Sequence, residues 1–217
     1  MTIDWAIIGK AAPLLLEGAV VTLQVSALSA IIGLFLGAVF GLASLSQSAL
    51  LRWVVAAYVD FIRGTPLLIQ IFLVFFALPV IGIRLDEFWA GVLALSLNAA
   101  AFVAEVVRGG VGAIEKGQTE AARSIGMKNG QILVYILLPQ AYRQMVPPLT
   151  NEMISLVKNS SLLSVISVYE LTRAGQAIIS IHFVPFEIYT LLAVYYYVLL
   201  KALSWLSREV ERRLPQW

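Results

Sequence analysis

No charged residue falls between Glu17 and Arg52, a run far longer than the about 20 residues an α-helix needs to cross a bilayer. The pattern predicts a first span over roughly 14–43, with Gly33, Gly37 and Gly41 on an i, i+4, i+8 stripe where another helix can approach closely. Ser44–Ser48 reads as the turn that follows. A second apolar stretch, roughly 52–80, is interrupted by Arg63-Gly64-Thr65-Pro66. Pro66 lacks an N–H and crowds the preceding turn, so this helix is expected to kink there. Gly82, Arg84, Asp86 and Glu87 form a short loop before a third span, about 88–110, with Asn98 near its middle. A polar segment, about 111–130, carries Glu115, Lys116, Glu120, Arg123 and Lys128. The fourth span, about 131–157, contains Pro139 and Pro147-Pro148 and is expected to be bent or broken.

Eleven uncharged residues separate Lys158 from Glu170, too few for an ordinary span. A helix packed within the protein at membrane depth, or a re-entrant one, is predicted for 158–185. A fifth span, about 186–207, ends in Arg208, Arg212 and Arg213. The expectation is an all-α integral membrane chain, a single transmembrane domain over 1–217 with five spans.

Composition agrees. The chain is 60% hydrophobic and 13% charged, with mean hydropathy +0.87. Soluble domains are about 45–50% apolar and about 25% charged, and a globule of this size could not hide the excess. With no cysteine and His182 as the single histidine, neither disulfides nor a thiolate or His-rich metal site is available. The net charge of +2 gives no reason to expect nucleic acid as a partner. Met1 to Pro13 does not read as a secretory signal, since Asp4 precedes the first Lys and no basic leader or small-residue cleavage pattern frames an apolar run.

The positive charges set the orientation. Arg52, the 111–130 segment and the C-terminal arginines share one side; Lys10 and Arg84, with Arg173 as a further candidate, share the other. The richer side is cytoplasmic by the positive-inside rule, which puts the N-terminus outside and the C-terminus inside. An odd number of spans argues against two inverted halves in one chain, so the pathway is expected to need a second copy or a close relative.

Ionisable groups at membrane depth are costly and face a cavity or each other. Asp60 and Arg63 stand three apart on a helix and can pair; alternatively, the kink at Gly64–Pro66 turns them, with Thr65, toward a pathway. Asn98 can bond another helix or a ligand. Glu105 and Arg108 repeat the three-residue spacing and read mainly as structural or gating. Lys158-Asn159-Ser160-Ser161 joins a buried-looking cation to small polar side chains, with Glu152 able to neutralise Lys158 and Ser160 or Ser161 able to cap the next helix. Asp60, Arg63, Thr65, Asn98, Glu105, Lys158 and Ser160 are thus the pathway candidates. The Tyr195-Tyr196-Tyr197 cluster is expected to face lipid or a packing interface, and His182 to be incidental.

Within 111–130, Ala121 and Ala122 make a thin face that can seat in a groove on another protein, with Glu120 and Arg123 able to pair at its edge. Gly126 suits the left-handed residue that ends a helix. Glu120-Ala121-Ala122, Gly126, Ile136 and Leu138-Pro139 together resemble the cytoplasmic loop signature, the EAA motif, of permease subunits of binding-protein-dependent ABC importers. Asp60 to Gln70, Ala104 to Gly110, Lys116-Gly117-Gln118, Lys158 to Leu162 and Glu170 to Arg173 resemble its polar-amino-acid branch (histidine, glutamine, glutamate/aspartate and arginine importers), over about 13–213, with the look of glutamine permeases.

The resemblance implies a type I importer permease fold whose loop forms a coupling helix, with Glu120, Ala121, Ala122, Arg123, Gly126 and Pro139 serving the contact to the ATPase. It implies pairing with a second permease, two cytoplasmic ATPase subunits that bind ATP and Mg, and an extracytoplasmic amino-acid-binding protein. The chain itself lacks the G-x-x-x-x-G-K-[ST] phosphate loop and is not expected to hold a cofactor or to be an enzyme. The rival readings are an ion-coupled secondary transporter, in which the coupling signature has no task, and a membrane scaffold that recruits a cytoplasmic partner.

Overall fold

A computed structural model describes residues 5–212, so Asp4 and Arg213 lie outside the described residues. Helix α1 (Trp5–Ser44) begins nine residues before the expected span and ends where predicted. After the Leu45–Ser48 turn, the Ser48 hydroxyl accepts from the Leu51 N–H and opens α2 (Ala49–Gly64). Helix α3 (Leu67–Phe72) continues through a wide turn, Leu73–Ala77, and a tight one, Leu78–Ile81. The Asp86 carboxylate caps α4 (Glu87–Gly112) by accepting from the Trp89 N–H. Then come α5 (Lys116–Ser124), α6 (Asn129–Ile132), a wide turn over Leu133–Leu137, and α7 (Leu138–Asn159). A tight helical turn, Ser160–Ile166, leads to α8 (Leu171–His182) and α9 (Pro185–Arg212).

The glycine stripe does what its spacing predicts. A Cβ on Gly33, Gly37 or Gly41 would meet Ala99, Val103 or Val107 of α4 in turn. The constant register makes α1 and α4 parallel and brings their backbones together along the most extensive helix contact of the chain. Parallel helices require the chain between them to return through the bundle, which α2 and α3 do with a bend of 110° at Thr65-Pro66. The predicted kink is thus a full break. Helix α7 runs the other way along α4, since Gly110 faces Met145 while Gly91 faces Leu163.

Among the described residues, three helices are long and apolar enough to cross a membrane, within Gly9–Ser44, Glu87–Gly112 and Pro185–Glu209; the bent α2–α3 pair makes a fourth if it is one broken span. The expected count of five therefore exceeds what length and apolarity alone deliver, because 129–159 carries Arg143, Glu152 and other polar groups. Of the expected bend or break at the prolines, no break interrupts α7. Pro139 follows the wide turn at the start of α7, and the helix runs on through Pro147 and Pro148. Arg143 and Gln144, four residues before the two prolines, line open cavities.

The 158–185 segment is neither a span nor a loop. Leu163 and Ile166 of its tight turn enter the core with Val25, Ile71, Leu95 and Leu156. Helix α8 packs Leu171, Ala174 and Ile178 against α1 and α9.

Candidate functional site

Two neighbouring cavities open along α2, α4 and α7. The larger, about 890 Å³, is lined by Asp60 and Arg63 of α2 and by Phe102, Glu105 and Arg108 of α4, among others. The second, about 550 Å³, shares Arg63, Phe102 and Glu105 and adds Gln144, Asn151, Glu152 and Ser155 of α7. The charges at its heart form a chain. Glu105 bonds both Nε and Nη2 of Arg108, and Arg63 Nη1 approaches its Oε1 at 3.8 Å. The Arg63 guanidinium also lies over the Phe102 ring, 5.6 Å from its centre. Arg63 is therefore drawn to Glu105, not to Asp60 as the three-residue spacing allowed.

Of the pathway candidates, Asp60, Arg63 and Glu105 share these cavities, whereas Thr65, Asn98, Lys158 and Ser160 do not line them. Thr65 Oγ1 donates to the Phe61 carbonyl. Asn98 is buried and donates to Gln70 Oε1 at 2.9 Å. Lys158 is exposed, contrary to its buried look, and forms no ion pair with Glu152 among the described residues. Ser160 and Ser161 donate back to the carbonyls of Val157 and Lys158 instead of capping α8; Glu170 is the cap, accepting from the N–H groups of Thr172 and Arg173.

The α7 wall was missed, although its signal was available. Gln144, Pro148, Asn151, Glu152 and Ser155 recur at helical spacing, which puts a polar stripe on one face of a helix that otherwise reads as a span. Phe102 carried no such signal.

At the end of the bundle where α4 stops, α5 stands largely exposed. Gly126, at φ +83°, ends it: its N–H bonds the Arg123 carbonyl at 2.9 Å and the Met127 N–H bonds that of Ala122 at 3.1 Å, the paired closure of a left-handed helix end. Ala121 faces outward, but Ala122 is buried against its own chain, so the thin face is half as wide as expected. Arg123 reaches Asn129 Oδ1 at 3.4 Å, not Glu120. Ile125 adds an exposed apolar side chain beside Ala121. Pro139 borders a small cavity with Ile114, Gln140 and Arg143 at the same end.

Comparison with known proteins fits this geometry. A family model described as "Binding-protein-dependent transport system inner membrane component" matches residues 29–216. The chain is 39% identical over 215 residues to the arginine transport system permease protein ArtQ of Bacillus subtilis, covering 99% of this chain and 98% of that protein. It is 40% identical over 216 residues to the glutamine transport system permease protein GlnP of Escherichia coli, covering 99% of each. The crystal structure of an amino acid ABC transporter with histidines superposes with a TM-score of 0.92 at 38% identity, over 99% of this chain and 100% of that one. With its all-helical fold and its matching loop, this chain belongs to the family of binding-protein-dependent transport system inner membrane components.

Proposed function

We propose that the chain is the permease subunit of an ATP-driven importer of polar amino acids, pairing with a second permease and coupled to two ATPase subunits through α5. The observation that carries this reading is α5 itself. A nine-residue helix outside the spans buries only Ala122 in its own chain and offers Ala121 to a partner, with the exposed Ile125 just past its end. An ion-coupled carrier gives that element no task, and a scaffold gives none to the charged cavities.

The polar amino acid is supported by two things. The relatives named above are permeases of arginine and glutamine systems. The cavities hold cations and carboxylates together, as a zwitterion requires: Arg63 and Arg108 for a carboxylate, Asp60, Glu105 and Glu152 for an ammonium. We assign Asp60, Arg63 and Glu105 to the pathway lining and Thr65, Asn98 and Ser160 to its supporting wall. Lys158, exposed beyond the cavities, is the weakest member of the set. ATP and Mg belong to the partner ATPase, and a binding protein delivers substrate from outside.

In this scheme the chain crosses the inner membrane five times, N-terminus outside. ATP closure of the ATPase pair moves the seated α5 helices and rocks the spans so that the cavity opens outward. The test is ATP hydrolysis in proteoliposomes containing the chain, its candidate ATPase and the binding protein, with each amino acid supplied in turn. Stimulation by one or a few polar amino acids is expected. An assembled complex indifferent to every amino acid would overturn the cargo assignment.

A further inference from the structure

We infer that Gln70 is a positioning residue: its side-chain amide stands in for the backbone donor that Pro66 removes, and through Asn98 it fixes how the two halves of the broken helix sit against α4.

In an unbroken helix the Ile62 carbonyl would accept from the N–H of residue 66, which is a proline and has none. Thr65, forced into an extended conformation before Pro66 (φ −119°, ψ 147°), would lose its own acceptor role too, because the Ile69 N–H turns to the Pro66 carbonyl at 3.0 Å. Gln70 supplies both missing partners. The two hydrogens of its Nε2 are shared among three acceptors, the Ile62 carbonyl at 2.7 Å, the Thr65 carbonyl at 3.1 Å and Thr65 Oγ1 at 3.0 Å. Thr65 Oγ1 in turn donates to the Phe61 carbonyl at 2.8 Å.

The orientation of the amide follows from chemistry. Carbonyl oxygens only accept, so the nitrogen must face Ile62 and Thr65 and the oxygen must face away. That oxygen accepts from Asn98 Nδ2 at 2.9 Å, which fixes the Asn98 amide as well. Both residues are only 5% exposed, where a carbonyl left without a donor is costly.

Asn98, Phe102 and Glu105 lie on one face of α4 at spacings of four and three. The brace is thus anchored two turns from the carboxylate that Arg63 approaches, and Arg63 sits on the last turn of α2 that the brace closes. Releasing Gln70 frees the break to change angle and draws Arg63 away from Phe102 and Glu105. The mechanical claim stands on the bonds alone; its consequence for transport rests on the proposed importer function.

The absence of cysteine makes the test direct. Spin labels on Leu50→Cys in α2 and Val80→Cys beyond the break, both on exposed side chains, report the bend in the assembled complex when labelled chain is diluted with unlabelled chain. The parent is expected to give one narrow distance. Gln70→Leu is expected to broaden it, and Asn98→Leu, which spares the bonds to Ile62 and Thr65, to broaden it less. Adding Pro66→Ala to Gln70→Leu restores a backbone N–H for Ile62 and is expected to narrow the distribution again at a longer distance, an outcome that loss of packing alone would not produce. A parent-like distribution in Gln70→Leu overturns the brace. If Gln70→Leu does not assemble, failure of Pro66→Ala to restore assembly overturns it equally.

Amino acid uptake measured on the same proteoliposomes is expected to fall about tenfold in Gln70→Leu, the weight of a buried carbonyl left without a donor. Parent-level uptake alongside a broadened distance would retain the brace and overturn its positioning role. A parent complex that moves no amino acid would overturn the transport reading and leave the distance result to decide the brace.

Discussion

Glu170 has no exposed surface, yet it is a carboxylate between α1, α8 and α9. Its two oxygens accept from the Arg173 N–H at 2.7 Å, the Thr172 N–H at 2.9 Å and the Tyr196 hydroxyl at 2.9 Å. Next to it, the Leu171 N–H donates to Thr22 of α1 at 3.1 Å. Three helices are thus tied at the start of α8, α9 through the Glu170 side chain and α1 through Thr22. Glu170→Ala removes the cap and strands the donors, an expected loss of about 2 kcal/mol or more. Glu170→Gln keeps the acceptor for Arg173 and turns an amide toward Tyr196, whose hydroxyl can accept it, but leaves the Thr172 N–H without its acceptor, at a cost of about 1 kcal/mol. Thermal midpoints of the purified complex should fall in that order; equal falls would mean the site is held by packing and not by its hydrogen bonds. Gly37 is the complementary case, where nothing but hydrogen fits. Gly37→Val would drive a branched side chain into Val103, and a loss of about 1–3 kcal/mol is expected from the same measurement.

At the scale of elements, α5 is short enough for its end to matter. Gly126 holds φ +83° in the open, with nothing for a Cβ to strike, so the cost of a substitution there is conformational. Gly126→Ala is expected to cost about 1 kcal/mol of local order and to lower substrate-stimulated ATP hydrolysis partway. Gly126→Pro cannot adopt a positive φ and loses the bond to the Arg123 carbonyl; uptake should vanish while the amount of chain in the membrane stays at the parent level. Undiminished uptake would remove α5 from the coupling path. This helix was legible because its signals are local: alanines, a terminating glycine and a fixed distance to Pro139. The break at Pro66 was legible for the same reason. The unbroken course of α7 through Pro147-Pro148 was not, because it depends on how the neighbouring helices hold that turn, which only the assembled bundle determines. Nor could spacing decide whether Arg63 would choose Asp60, three residues away, or Glu105 on another helix. The burial of Ala122 and the exposure of Lys158 are tertiary outcomes of that kind.

For the whole molecule, the parallel run of α1 and α4 converts local packing into topology. If α1 and α4 end at the same face, then Ser44, Gly112 and α5 share one side of the membrane, and the Val80–Asp86 loop before α4 lies on the other. The charges agree with that division: Arg52, Lys116, Arg123 and Lys128 stand at the α5 end, against Arg84 in the opposite loop. Two positions can test it in a chain without cysteine. Val80 is 84% exposed and Ile125 is 79% exposed, at opposite ends of α4. A membrane-impermeant thiol reagent is expected to label Val80→Cys in right-side-out vesicles and Ile125→Cys only in inverted ones. The reverse pattern would invert the orientation, and labelling of both from one side would contradict the parallel packing. The second position also reports assembly. Ile125 lies exposed immediately after α5, so docking of an ATPase there should shield it, slowing its modification about tenfold, whereas Val80 should react at an unchanged rate. Shielding confined to Ile125 would join the orientation of the chain to its coupling in one measurement; equal rates with and without the ATPase would place the contact elsewhere on the cytoplasmic face.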